Sequence, residues 1–214
     1  MNESPLQPAW TREIILEHYG PRALDLFEKA AAAYLDWNDK INVISRKDTS
    51  SIAAHHFLHS LAIDRYLRFE SASTVLDLGT GGGFPGVPLA IVRPDVRFTL
   101  CDSIAKKVRV ASAVCEELGL SNASAVCARV EALPGQWDYV VTRAVASLAT
   151  LWPWIRGRYR RGLLCLKGGD ISSEISDFVR QWHIDPTLIH TWPVTDVYED
   201  EYFREKFVIH IEKT

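Results

Sequence analysis

The chain has 214 residues, enough for one sizeable core with an appendage but short for two full domains. Hydrophobic residues make up 47% and charged residues 24%, a balance that excludes disordered and fibrous classes. The formal net charge of −3 argues against a protein that coats nucleic acid indiscriminately, while leaving room for a local basic face.

No apolar run approaches the ~20 residues of a membrane span, so no membrane association is expected. Met1-Asn2-Glu3-Ser4-Pro5 lacks a basic start followed by an apolar stretch, which predicts no signal peptide. Cys101, Cys115, Cys127 and Cys165 form neither C-x-x-C pairs nor a zinc pattern with nearby histidines. They read as buried free thiols of a cytoplasmic protein.

The first 70 residues read as helical. Leu24, Phe27, Ala31, Tyr34 and Leu35 recur at helical spacing, and Asp36-Trp37-Asn38 marks a helix end. A second helix is expected over 51–69, with Ile52, Phe57, Leu61 and Ile63 on its apolar face. From residue 74 the pattern alternates. Strands are predicted at 74–78, 97–102, 123–128, 137–142 and 163–167, and helices at 84–92, 104–118, 147–158 and 172–182. Two final strands, 188–194 and 206–211, are joined without a helix. Alternation of this kind predicts a mostly parallel α/β sheet covered on both faces, with an antiparallel hairpin at one edge. The division expected is a helical extension, 1–70, followed by a Rossmann-like domain, 71–214.

The first strand runs into Gly79-Thr80-Gly81-Gly82-Gly83-Phe84-Pro85-Gly86. Glycines here permit positive φ and let a ligand approach the backbone. Gly81-x-Gly83-x-x-Gly86 also fits a dinucleotide fingerprint, so a nicotinamide oxidoreductase is one reading. Two residues favour S-adenosylmethionine instead. Asp77 can hold the loop or water beside a cationic ligand, where a pyrophosphate gains nothing. Phe84-Pro85 opens the next helix without a proline N–H, which equips that end less well for phosphate. Asp102 ends the second strand, where an acid can take both ribose hydroxyls or cap the following helix. Val130 and Glu131 follow the third strand, a position that flanks adenine.

Cations gather late in the chain. Arg156, Arg158, Arg160 and Arg161 read as a solvated loop or, with Arg129, Arg143 and Lys167, as one face at the carboxyl edge of the sheet. Trp152 and Trp154 read as core rather than as base-stacking residues. His55 and His59 are four apart, as metal ligands can be, yet no carboxylate stands at the right spacing and no metal is expected.

The run Val75 to Ala90 resembles the signature of the RsmG (GidB) family of 16S rRNA guanine-N7 methyltransferases. So do Trp37-Asn38-Asp39-Lys40-Ile41-Asn42, His55-His56-Phe57-Leu58-His59-Ser60-Leu61, Asp102-Ser103 with Lys106-Lys107, Arg129-Val130-Glu131, Thr142-Arg143-Ala144-Val145-Ala146 and Leu166-Lys167-Gly168. The resemblance runs in order from about residue 34 to 170. It implies a seven-stranded class I methyltransferase fold with an N-terminal helical extension. It implies that Gly79, Phe84, Val130, Glu131 and Arg143 line the S-adenosylmethionine site, with Asp102 on the ribose. The cofactor site expected adds Asp77, Thr80, Gly81 and Ser103 from the glycine turn and the end of the second strand. It further implies that Arg129, Arg143 and Lys167 face RNA, and that the partner is 16S rRNA or the small ribosomal subunit. A monomer is the default expectation. His55 and His59 stand where Arg and Asp are common in enterobacterial members of the family.

Guanine N7 offers a lone pair and carries no proton, so its methylation needs alignment rather than a general base. The chain carries no Asn/Asp-Pro-Pro-aromatic motif for exocyclic amines and no Pro-Cys nucleophile. Arg143 is the nearest candidate to the chemistry. A non-catalytic RNA-binding module would predict a damaged glycine loop, and the loop is intact.

Overall fold

The computed structural model describes residues 6–41, 44–45, 49–143 and 145–213. Met1–Pro5, Asn42 and Ala144, which figure in the sequence motifs, lie outside the described residues. Seven strands form one sheet in the order β3-β2-β1-β4-β5-β7-β6. They are β1 (Thr74–Leu78), β2 (Arg97–Asp102), β3 (Ala123–Cys127), β4 (Trp137–Arg143), β5 (Tyr159–Gly168), β6 (Ile189–Pro193) and β7 (Lys206–Glu212). β1 to β5 are parallel; β7 runs antiparallel to both β5 and β6. The closing hairpin therefore inserts its second strand against β5 and leaves β6 at the edge.

The helices are α1 (Trp10–Lys40), α2 (His59–Tyr66), α3 (Gly86–Val92), α4 (Ala105–Glu117), α5 (Leu148–Ile155) and α6 (Ile171–Trp182). Side chains alternate across the strands and so build two cores. Val75, Phe98, Leu100, Tyr139, Val141, Leu164, Leu166 and Val208 pack with α1 to α4. Leu76, Leu78, Val140, Leu163, Cys165, Ile209 and Ile211 pack with α5 and α6. The helical extension thus shares a core with the sheet.

Several expected boundaries move for identifiable reasons. α1 breaks at Gly20, whose φ of 81° and ψ of 177° precede Pro21. The helix expected over 51–69 begins as a π-helical turn, Ala53–Leu58, and stops at Tyr66. β5 starts at Tyr159 rather than 163, so Arg160 and Arg161 belong to a strand. Arg160 pairs with Asp138 and Arg161 with Glu70 at the amino ends of the parallel strands, not the carboxyl edge. Arg158 donates to the carbonyls of Leu133 and Glu131, and Arg156 lies over the Trp182 ring. Cys101, Cys115 and Cys165 are buried, but Cys127 is exposed, against expectation. Burial pushes the Cys165 thiol up to about 12. Among the described residues, no helix is long and apolar enough to cross a membrane.

Candidate active site

β1 lies between β2 and β4, so the chain reverses its direction of travel across the sheet at this point. In open α/β sheets the crevice at the carboxyl ends of such strands is the ligand site. A cavity of about 480 Å³ opens there, within the range of roughly 300–1,000 Å³ typical of small-molecule sites.

Its floor is the glycine turn. The N–H groups of Gly79 and Thr80 both donate to the Cys101 carbonyl, at 2.8 and 3.0 Å, which folds the loop back onto β2. Gly79 has a φ of 70°, and a Cβ there would collide with Val145 Cγ2. Asp77 sits beneath the loop with no exposed surface. Its Oδ2 accepts from the Thr80 hydroxyl at 2.6 Å and from the Gly86 N–H at 2.7 Å. Asp77 therefore does not line the cavity, although the sequence places it among the cofactor residues; it holds the loop. The Gly86 N–H it engages opens α3, so that N–H is already committed and cannot serve a phosphate. Burial raises the Asp77 carboxyl to about 7, against the lowering effect of the Thr80 and Gly86 hydrogen bonds and of Arg143.

Asp102 ends β2 at the cavity wall and is 9% exposed. Its Oδ2 accepts from Gly81 N–H and its Oδ1 from Ile104 N–H, both at 2.9 Å. One carboxylate thus ties the loop to Ile104, the residue before α4, while lining the cavity; α4 itself has no side-chain cap. Gly79, Thr80, Gly81, Phe84, Ser103, Val130, Glu131 and Arg143 all line the same space, as the sequence placed them. Arg129, expected on the RNA face, lines this cavity too. Sequence reasoning missed Val145 and Trp154. Val145 had a signal in its motif, whereas Trp154 was assigned to the core with Trp152 and only Trp152 is buried there.

Phe84 is packed by the rings of Tyr34, at 4.7 Å between centroids, and His56, at 4.8 Å. The guanidinium of Arg143 lies 5.0 Å from its centroid. Arg143 also donates to the His55 carbonyl at 3.3 Å and contacts His56 Nδ1 at 2.9 Å. The π-helical turn presents that carbonyl, which also accepts from Tyr202 OH at 3.2 Å. Arg143 thus joins the helical extension to the end of β4.

A second cavity of about 520 Å³ adjoins the first, and Arg143 and Val145 line both. Lys167, Glu174, Lys206, His56 and His59 complete most of its polar wall. Lys167 is largely covered; its Nζ lies 2.8 Å from Glu174 and donates to the Ala146 carbonyl. Glu174 also accepts from Leu148 N–H at 2.7 Å. His59 is 7% exposed, neither ring nitrogen has a partner among the described residues, and burial holds its pKa well below the usual value. His55 stacks on the Tyr202 ring at 3.6 Å between centroids.

The family model for rRNA small subunit methyltransferase G (GidB) matches residues 24–194. A ribosomal RNA small subunit methyltransferase G of Porphyromonas gingivalis is 45% identical over 98% of this chain and 97% of its own. One from Bacteroides fragilis is 46% identical over 83% of this chain and 87% of its own. Among solved structures, magnesium protoporphyrin IX methyltransferase from Synechocystis, with bound SAM, superposes with a TM-score of 0.60. It does so at 13% identity, over 95% of this chain and 97% of that one. That likeness establishes the class of fold, and none of these relatives supports an oxidoreductase. Matched by the family model over most of its length and by full-length relatives, this chain belongs to the rRNA small subunit methyltransferase G (RsmG) family.

Proposed function

We propose that this enzyme transfers a methyl group from S-adenosylmethionine to N7 of a guanine in a decoding-centre stem-loop of 16S rRNA. The observation that carries the reading is the pair of cavities sharing Arg143 and Val145. One is floored by a glycine turn and edged by an acid; the other is walled by Lys167, Lys206 and Glu174. A donor and an acceptor seated in them meet at the shared wall.

The residues fit the cofactor. Gly79 lets the loop close against Val145 where no Cβ would fit, and Asp102 keeps lone pairs for ribose hydroxyls beyond those given to Gly81 and Ile104. Val130 and Ile104 supply apolar surface beside the adenine position. The cofactor supplies an electrophilic methyl on a sulfonium. The task left to the protein is to align an N7 lone pair with it, and alignment alone is worth roughly 7–11 kcal/mol. No side chain has to take a proton. Arg143 is held over Phe84 at the shared wall and positions the two halves of the site. It does not donate to N7, since methylation leaves the ring cationic.

The second cavity suits guanine. The base presents two donors, N1–H and N2–H, which the Glu174 carboxylate can accept, and an O6 acceptor for the Lys167 ammonium. Arg143 and Lys206 serve the flanking phosphates. On this reading the protein acts as a cytoplasmic monomer on 16S rRNA or the small subunit, and the transfer step uses neither metal nor membrane. The helical extension, 1–70, closes one side of the acceptor cavity for the domain at 71–214. Isothermal titration separates the cofactor classes. S-adenosylhomocysteine is expected to bind one per chain and NADH not at all; the reverse would overturn the reading.

A further inference from the structure

Away from both cavities, at the amino ends of the parallel strands, three side chains converge on one face of β6 and β7. His190 and His210 are register partners across these strands, and Glu212 lies two residues beyond His210 on the same face. One nitrogen of each imidazole and one oxygen of Glu212 all lie within 4.8 Å of one another. His190 Nε2 is 2.8 Å from Glu212 Oε1, and the two imidazoles stack at 5.7 Å between centroids.

His210 is seated firmly. It is 8% exposed, and its Nε2 has no hydrogen-bond partner among the described residues. Its ring covers Gly162 of β5, where any Cβ would run into the ring. A neutral imidazole with an open lone pair is the form that binds metals.

The geometry points to a binding site for a divalent transition ion of the zinc class, formed by His190, His210 and Glu212. Two nitrogen donors and one carboxylate suit zinc, which commonly takes three protein ligands and one solvent molecule. Magnesium and calcium prefer all-oxygen shells, so the donor set selects against them. Tetrahedral ligands near 2.0–2.2 Å from an ion stand about 3.3 Å apart, so the His190–Glu212 pair, at 2.8 Å, must open slightly and both must settle at that spacing from His210, within 4.8 Å as they stand. His190 and Glu212, at 39% and 49% side-chain exposure, are free to do so against the fixed His210. The ion would clip the edge strand β6 to β7. Because the cluster lies at the far end of the sheet from the cavities, the ion acts on stability and not on transfer. This departs from the metal-free chain that the sequence suggested.

The test uses the untagged full chain, stripped with EDTA and dialysed. Zinc at a hundredfold excess over its Kd is expected to raise Tm by roughly 5–10 °C. Cobalt(II) is expected to give a visible d–d band saturating at one equivalent. Magnesium should do neither. His190→Ala, which removes a half-exposed edge ring and leaves the fold intact by circular dichroism, should abolish both responses; Glu212→Gln should weaken them. An unchanged Tm with no cobalt band overturns the proposal. So does a His190→Ala chain that responds as the wild type does, because the ion would then bind elsewhere.

Discussion

Replacing Asp77 with asparagine should change how stability depends on pH, and the structure sets both sign and size. The carboxyl is fully buried, with Oδ2 held by Thr80 and Gly86 and Oδ1 without a partner among the described residues. Its pKa rises from 3.8 to about 7. Between those values the folded state holds a proton that the unfolded chain has released. Stability from this group is therefore present below about pH 4 and lost as pH climbs to about 7. A rise of this size corresponds to up to roughly 4 kcal/mol. The Asp77→Asn side chain would keep an acceptor for Gly86 and Thr80 but could not ionise. The quantity to measure is the urea unfolding free energy of both proteins at steps from pH 4 to 8, with equal m-values required. The expected result is a difference that moves in favour of Asp77→Asn as pH rises. A difference constant to within about 0.5 kcal/mol across the range would refute the reasoning.

Further substitutions test the loop and the two cavities separately. Gly79→Ala places a methyl against Val145 at a φ of 70° and should weaken S-adenosylhomocysteine binding at least tenfold by calorimetry; adding Val145→Ala should recover part of it. Asp102→Ala frees the Gly81 and Ile104 N–H groups and should raise the cofactor Kd, whereas Lys167→Ala should leave that Kd unchanged and slow rRNA methylation. Equal losses of cofactor binding in both would contradict the assignment of the cavities. Glu174→Gln should lower kcat/KM for the rRNA by about fivefold to 150-fold, the 1–3 kcal/mol range of a lost hydrogen-bond acceptor, with cofactor binding intact. Unchanged methylation would remove Glu174 from base recognition.

Much of the fold is legible in the residues because parallel strands buried on both faces leave continuous apolar runs. Thr74–Leu78 and Arg97–Asp102 are found where their runs place them. The strand edges are harder to read. Tyr159-Arg160-Arg161-Gly162 looks like a loop because two arginines lie at the exposed start of β5 and pair with acids there, while Gly162 is bare only because His210 covers it. The π-helical turn at Ala53–Leu58 has no period of its own in the sequence, yet it carries the carbonyl that meets Arg143. For the site, local spacing places the glycine turn and Asp102 at one crevice, because a strand must deliver them there. Whether Asp77 points into the cavity or under the loop depends on which face of β1 it occupies relative to α3. The His190, His210 and Glu212 cluster exists only through the register of β6 on β7, which no local pattern states.

The most direct measurement of the proposed activity is isotopic mapping of the methyl product. Purified protein is incubated with S-adenosylmethionine carrying a 13C methyl group and with unmethylated 16S rRNA, naked or in small subunits, and nuclease digests are read by mass spectrometry. The expected result is one labelled 7-methylguanosine in a decoding-centre stem-loop, reduced in Gly79→Ala at subsaturating cofactor. Label on an exocyclic amine, a pyrimidine carbon or a ribose, or no label on either form of the RNA, would contradict it.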